Sequence, residues 1–435
     1  MWRKVQASVI VAALSFSLLA GCTAKQPATP APGGAAPAQV VNLDFWAHWG
    51  SEQRMPTINK LVAQWNQANP NIQVKYTFVP FDQIMTKTLA AVAAKNPPDA
   101  VIIDNRTTAQ RASKNQNTDL SALGADTLKS QFAPGLWSIA SYQGKLHAMP
   151  FVTDTRFLFY NKAFFTEVGL DPAKPPTTWD ELQADATKLD KQSGGKYTRM
   201  GFYPLWGNFG YEGWVNNAGA TMFDPTGTTP QINNPTAVST LTWIQNWTKK
   251  YGYANLQAFQ AGFGGGGSAQ NPFIAGQVAM IMDVATFAST IGKYGPNMQW
   301  GMAPVPTPNG QQGPMSSWGG GFSLEIPAGS KHPAEAFKFI SWLATQGVQT
   351  WATEQNDIPA NLNAVNAIAA NNPLFKQIAD NLQHTFISPA PMLAPNYGTA
   401  VQKAQDDVMI RNADPKTALD AAQTAVQQMI QQNKP

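Results

Sequence analysis

Residues 142–182 open with Tyr142-Gln-Gly-Lys-Leu-His-Ala-Met-Pro-Phe151 and continue through Val152-Thr-Asp-Thr-Arg-Phe-Leu-Phe-Tyr-Asn-Lys162. They close on Pro175-Pro-Thr-Thr-Trp-Asp-Glu-Leu182. Gln143-Gly144 is turn chemistry, and a short strand follows that ends at Met149-Pro150. Phe151 to Thr155 reads as an extended crossing segment, and Phe157 to Tyr160 as an apolar strand. Thr178 and Glu181 then form a Thr-x-x-Glu capping box, which starts a helix. A chain that leaves one strand, crosses in the open and enters a new strand–helix unit is passing from one lobe to another.

Upstream of that crossing, Val41-x-Leu43-x-Phe45 alternates as a strand, and Met55, Ile58, Leu61, Val62 and Trp65 recur at helical spacing. Ile72-x-Val74-x-Tyr76-x-Phe78 is a second strand. A helix carrying Ile84, Leu89 and Val92 leads to a third, Ala100-Val-Ile-Ile103. Strands alternating with helices predict an α/β lobe with a largely parallel sheet. Downstream, helices are predicted at Trp179–Leu189 and Ala237–Tyr251. Trp300 to Val305 reads as a strand returning to the first lobe, and Phe322 to Ile326 as another strand. Ala336, Phe337, Ile340 and Leu343 line one helix face. Asp414 caps a last helix with Pro415 at its first position. No internal repeat is visible.

The 435 residues exceed one average core and suit two lobes. A hydrophobic fraction of 43% marks a globular chain, and only 13% of residues are charged, against roughly 25% in ordinary soluble proteins. The polar surface is therefore built from Asn, Gln, Ser and Thr, which suits hydroxylated ligands and equally an acidic medium in which carboxylates lose their charge. Net charge is +4, falling to +2 without Arg3 and Lys4, and the basic residues are scattered. That is no nucleic-acid footprint.

The N-terminus has the pattern of an export signal over residues 1–21. Arg3 and Lys4 precede an apolar run from Ser8 to Leu19 that is too short to span a bilayer. Leu18-Leu-Ala-Gly-Cys22 reads as a lipobox whose cysteine thiol accepts a lipid, giving a membrane anchor outside the cytoplasm. Cys22 is the only cysteine, so neither a disulfide nor a thiolate metal site is available. Residues 22–39, rich in Ala, Pro and Gly, read as a tether.

Several chemistries find no local support. Gly262-x-Gly264-x-x-Gly267 satisfies the dinucleotide fingerprint literally, but no strand clearly precedes it and Pro272 follows, so a loop is expected. His48, His147, His332 and His384 stand singly, which predicts no metal site. No Gly-x-Ser-x-Gly elbow occurs. What stands out is aromatic residues at loop positions. Trp46 and Trp49 flank His48 at the carboxyl end of the first strand, where open α/β sheets bind ligands. Trp206, Glu212 and Trp214 lie in an irregular polar-aromatic stretch, Trp318 precedes Gly319 and Gly320, and Tyr397 follows Pro395-Asn396. Flat rings at loop ends stack on the C–H faces of sugars, although each ring reads equally well as core.

Residues 142–182 resemble the first interlobe crossover of extracellular solute-binding proteins of ABC importers, the maltose-binding-protein-like family 1 group. The resemblance implies a two-lobed, periplasmic-binding-protein-like (type II) α/β fold with an interlobe hinge and ligand cleft. Its lobes would comprise residues 40–151 with 300–345, and 152–299 with 346–435. It implies ligand contacts from the loops holding Trp46, His48 and Trp49, from Asp104, Asn105 and Arg106, and from Asp154. Each carboxylate there could equally cap a helix or pair with a base. Gly276-Gln-Val-Ala-Met280 matches the family's Gly-x-x-Ala-Met element, but Asp283-Val-Ala-Thr-Phe287 lacks its usual Gly-x-Trp, which either removes a third stacking platform or moves it to Phe287. The implied function is a monomeric, lipid-anchored receptor, without cofactor or catalysis, that hands a sugar or oligosaccharide to an ABC permease. The alternatives are a binder of glycerol-3-phosphate, its diesters or a polyamine, and a secreted carbohydrate-active enzyme.

Overall fold

The computed structural model describes residues 40–224, 227–265, 267–388 and 390–434. The leader, Cys22 and the tether lie outside the described residues. Eleven strands build the two main sheets and the short pair beside them. In chain order they are β1 (Val41–Ala47), β2 (Ile72–Phe78), β3 (Ala100–Asp104), β4 (Met149–Thr153), β5 (Arg156–Asn161), β6 (Met280–Val284), β7 (Trp300–Ala303), β8 (Ser317–Trp318), β9 (Gly321–Glu325), β10 (Ile358–Pro359) and β11 (Thr385–Phe386).

The first sheet has six strands in the order β10-β4-β9-β3-β1-β2. β1 runs parallel to β2 and β3, with Val41 opposite Ile72 and Phe45 opposite Ala100, while β9 is antiparallel to β3 and β4. Residues 100–103 of β3 are all buried, as a central strand covered on both faces requires. β1 alternates. Leu43, Phe45 and Ala47 enter the core with Trp65 and Phe339, whereas Trp46 points to the opposite face.

The second sheet is β6-β5-β7, all antiparallel. Its core holds Phe157, Phe159, Trp214 and Trp247. Helix Trp179–Leu189 begins with the expected box: Glu181 N–H donates to Thr178 Oγ1 at 3.0 Å, and Thr178 N–H to Glu181 Oε2 at 3.2 Å. Asn234 caps helix Pro235–Tyr251, and Asp414 caps helix Pro415–Asn433. These last two helices pack together, and Asn233 Nδ2 donates to Asp420 Oδ1 at 2.6 Å.

Two boundaries differ from expectation. Trp300–Ala303 does not return to the first sheet. It pairs antiparallel with β5, because β5 is buried along its whole length and needs partners on both edges. Nor does residue 346 open the second lobe. Helix Val348–Gln355 buries Trp351 against Trp49, ring centroids 4.0 Å apart, and β10 then pairs with β4. The chain stays with the first sheet as far as Pro359.

Candidate functional site

A cavity of about 520 Å³ lies where the carboxyl ends of β1 and β3, the β4–β5 crossover, the end of β6 and the β8–β9 link converge. Of the residues singled out in the sequence, His48, Trp49, Asp104, Arg106, Asp154, Trp318 and Gly320 line it. Ser51, Arg54, Phe81, Arg156, Asn208, Val284, Thr286, Gly321, Phe322 and Asp357 complete the wall.

Its polar wall is made of three aspartate–arginine pairs. Asp104 ends β3, accepts the Arg106 backbone N–H at 3.0 Å, and holds that guanidinium through Nε and Nη2 at 3.0 and 2.6 Å. Two-point contact of this kind fixes both groups in one plane. Asp154, in the crossover, accepts from Gly320 N–H at 2.7 Å and pairs with Arg156 Nη1. Arg156 opens β5 and also donates from Nε to the Asn208 carbonyl at 3.1 Å. Asp357 accepts from Arg54 Nη2 at 3.2 Å and from Trp351 Nε1 at 2.7 Å. Each cation is matched by an anion, so the wall is polar but close to neutral.

The apolar part is aromatic. Phe81 is 56% exposed at the first turn of helix Phe81–Ala93. Phe322 lies 4.4 Å from the His48 ring and Phe81 5.2 Å from it, centroid to centroid. Burial, reinforced by the nearby Arg54 charge, lowers the His48 pKa to about 3, so the imidazole is neutral. Trp318 faces the cavity with two guanidinium groups on its ring, those of Arg156 at 4.5 Å and Arg106 at 5.4 Å.

The other expected platforms lie elsewhere. Trp206 is buried against Tyr203, Phe259 and Phe263 and donates to Gln260. Trp214 is fully buried among Phe202, Phe209 and Trp243, its Nε1 donating to the Pro204 carbonyl at 2.8 Å. Both are core, because helix Gly210–Asn217 turns this stretch inward. Trp46 donates to Asp44 at 2.7 Å under the helix that follows β2, since β1 alternation aims it away from Trp49.

Asn105 is buried behind Gly321, where an added Cβ would lie 3.1 Å from Asn105 Nδ2. Gly319 serves packing: a Cβ there would come within 2.7 Å of the Asp154 carbonyl. Glu212 and Tyr397 meet in a separate recess of about 290 Å³, the phenol donating to Glu212 Oε2 at 2.7 Å. Asp283 lines an adjoining cavity with Phe287, and burial pushes its carboxyl up to about 6.

Sequence reasoning missed Arg54, Phe81 and Asp357. Phe81 could have been found, as an aromatic residue directly after a strand and before a helix. Asp357 carries no local signal, and only the return of the chain at β10 brings it near residue 54. The Gly262 motif follows helix Tyr253–Gln260 rather than a strand, so no nucleotide fold surrounds it. Among the described residues no group of three His, Cys, Asp or Glu side chains gathers as a metal site, and no helix is long and apolar enough to cross a membrane.

Residues 49–350 match the family model for bacterial extracellular solute-binding proteins. The chain belongs to that family. It is 30% identical to CpMnBP1, solved with mannotriose bound, with a TM-score of 0.82 over 89% of this chain and 100% of that one. It is 24% identical over 300 residues to a binding protein of Brucella abortus, spanning 66% of this chain and 68% of the relative. It is 25% identical over 346 residues to the sn-glycerol-3-phosphate-binding periplasmic protein UgpB of Escherichia coli, 74% of each chain. The fold of this solute-binding protein is the two-lobed type II α/β arrangement, with the cavity between the lobes.

Proposed function

We propose that this solute-binding protein captures a neutral oligosaccharide in the cavity beside Trp318 and delivers it to an ABC importer permease. In this reading it is tethered outside the cytoplasm by a lipid on Cys22, acts as a monomer, and leaves catalysis to the partner ATPase. One observation carries the choice of ligand: three arginines line the cavity and each already holds an aspartate. Paired carboxylates and guanidiniums present acceptors and donors to sugar hydroxyls without net charge, while Phe81, Phe322 and Trp318 offer apolar surface to ring C–H faces. The mannotriose held by CpMnBP1 supports the same class.

Likeness to the glycerol-3-phosphate-binding protein favours a second reading, a phosphate ester. A phosphate needs uncommitted cations or open backbone N–H groups, and the committed state of Arg54, Arg106 and Arg156 weighs against it. Calorimetry against mannobiose, mannotriose, maltotriose and glycerol-3-phosphate decides between them. Saccharide binding that is insensitive to salt is the expected result. Binding of glycerol-3-phosphate alone, weakening steeply with salt, would replace the sugar reading with the second one.

A further inference from the structure

A knot of hydroxyl groups lies behind the crossover, on residues that line neither the main cavity nor the two beside it. β7 reaches β5 only as far as Leu158, which lies opposite Ala303. Two residues earlier, a side chain stands in for the missing strand. Ser317 Oγ accepts the Arg156 N–H at 3.0 Å and donates to the Arg156 carbonyl at 3.0 Å. The same oxygen lies 2.9 Å from Thr155 Oγ1, which lies 2.6 Å from Thr385 Oγ1 and accepts from Asn381 Nδ2 at 2.8 Å. Thr385 Oγ1 in turn donates to the Asn381 carbonyl at 2.8 Å.

The knot therefore clamps two chain crossings, at Thr155 and Ser317, to the segment that follows helix Pro373–Asp380, whose Phe375 and Ile378 sit in the second core. Thr155, Ser317 and Asn381 are buried, where each hydrogen bond left unmade is costly. Each clamped crossing residue is followed directly by a residue of the cavity wall: Arg156 after Thr155, Trp318 after Ser317. Those two side chains meet, with the guanidinium carbon 4.5 Å from the ring centre. Ser317 thus fixes the backbone beneath the cation and is the chain neighbour of the ring. Little else steadies Trp318. Its strand pairs with β11 over two residues only, below the usual strand length, and Gly319 and Gly320 follow it without side chains.

Taking the saccharide reading above for the ligand, we infer that Ser317, Thr155, Asn381 and Thr385 are positioning residues for the cavity. Through hydrogen bonds on the hidden side of the crossover they set where Trp318 and Arg156 stand, and so set affinity without touching the ligand.

The test pairs Thr155→Val, which removes the hydroxyl at nearly constant shape, with Thr155→Ser, which keeps the hydroxyl and removes the methyl; Ser317→Ala is the third variant. A packing role would make Thr155→Ser the worse of the pair, and a hydrogen-bonding role makes it the better. The first measurement is fluorine NMR of intact, fluorotryptophan-labelled protein without ligand, the Trp318 resonance being identified by its loss in Trp318→Phe. Thr155→Val and Ser317→Ala should shift or broaden that resonance, and Thr155→Ser should leave it in place. The second is calorimetry with mannotriose, with melting temperatures beside it. Thr155→Val and Ser317→Ala should weaken binding roughly threefold to tenfold, and Thr155→Ser by less than about twofold. Should Thr155→Val fail to fold, Thr385→Val and Thr385→Ser, at the half-buried end of the knot, replace the pair. An unmoved Trp318 resonance in the folded hydroxyl-less variants, or a loss of affinity in Thr155→Ser as large as in Thr155→Val, overturns the positioning role and leaves the saccharide reading standing. Failure of the wild type to bind mannobiose, mannotriose or maltotriose overturns the saccharide reading instead, and the fluorine spectra still decide the positioning role.

Discussion

The guanidinium carbon of Arg156 lies 4.5 Å from the centre of the Trp318 ring, and Arg156 Nη1 donates to the Trp318 carbonyl at 3.3 Å. Arg156 is the first residue of β5 and Trp318 the last of β8, so this contact ties the interlobe crossover to the strand pair that closes the cleft. Contacts of this kind contribute roughly 0.5–2 kcal/mol and orient the ring. Trp318 is thereby held against the cavity before any ligand arrives.

Trp318 and Trp214 should separate cleanly on mutation. Trp318→Ala removes half-buried cavity surface, so affinity should fall tenfold to a hundredfold, from roughly 1.5–3 kcal/mol of lost burial. Trp214→Ala empties a fully buried core site and should cost about 3–5 kcal/mol of stability, with affinity little altered in the folded fraction. Thermal melts and calorimetry on both variants make the comparison. Equal loss of ligand-free stability would show that Trp318 is core as well.

Asp154 keeps the cleft neutral by pairing with the buried Arg156. Asp154→Ala should therefore weaken neutral saccharide binding at least tenfold and create affinity for phosphate esters that declines with salt. Asp154→Asn, which still accepts the Gly320 N–H, should lose less for sugars. Titrations at low and high ionic strength would reveal either pattern.

His48 gives the fold an acid sensitivity with a defined sign. Its folded pKa of about 3 lies below the unfolded value near 6.5, so the unfolded chain binds the extra proton first. The contribution is complete above about pH 6.5 and is lost progressively as pH falls toward 3. Arg54 opposes protonation and Asp104 favours it, the first effect being the larger. Melting temperatures of the wild type and His48→Phe, compared at pH 7 and pH 4.5, should show the smaller acid-induced drop in the variant.

Gly321 has φ of +141°, and a Cβ there would lie 2.3 Å from the Val152 carbonyl. Gly321→Ala must push β9 away from β4, at a cost of at least 1–3 kcal/mol. Melting several degrees lower together with weaker saccharide binding is expected, since both strands lead into the cavity. A variant with native stability would refute the packing argument.

Cys22→Ser tests the anchor independently of the cleft. The lipobox reading predicts release from membranes with unchanged saccharide affinity, measured by fractionation after a carbonate wash. Retention of the variant in the pellet would count against lipidation.

Local chemistry determined much of this protein. The capping box at Thr178 and Glu181, the Asp414 cap, the alternation of β1 and the buried run of β3 are short-range patterns, and the backbone has few other ways to satisfy them. The crossover segment was legible for the same reason, and its resemblance to the family brought forward the two lobes, Asp104 and Asp154. Tertiary structure alone decided which tryptophans face the cavity. A ring at a loop end is apolar enough for either fate, and only the inward turn of helix Gly210–Asn217 and the register of β1 buried Trp214 and turned Trp46 aside. It also decided that Trp300–Ala303 completes the second sheet, and that Arg54 meets Asp357 and Arg156 meets Asn208. Those pairings join residues far apart in the chain, and their energy exists only once the strands between them have been placed.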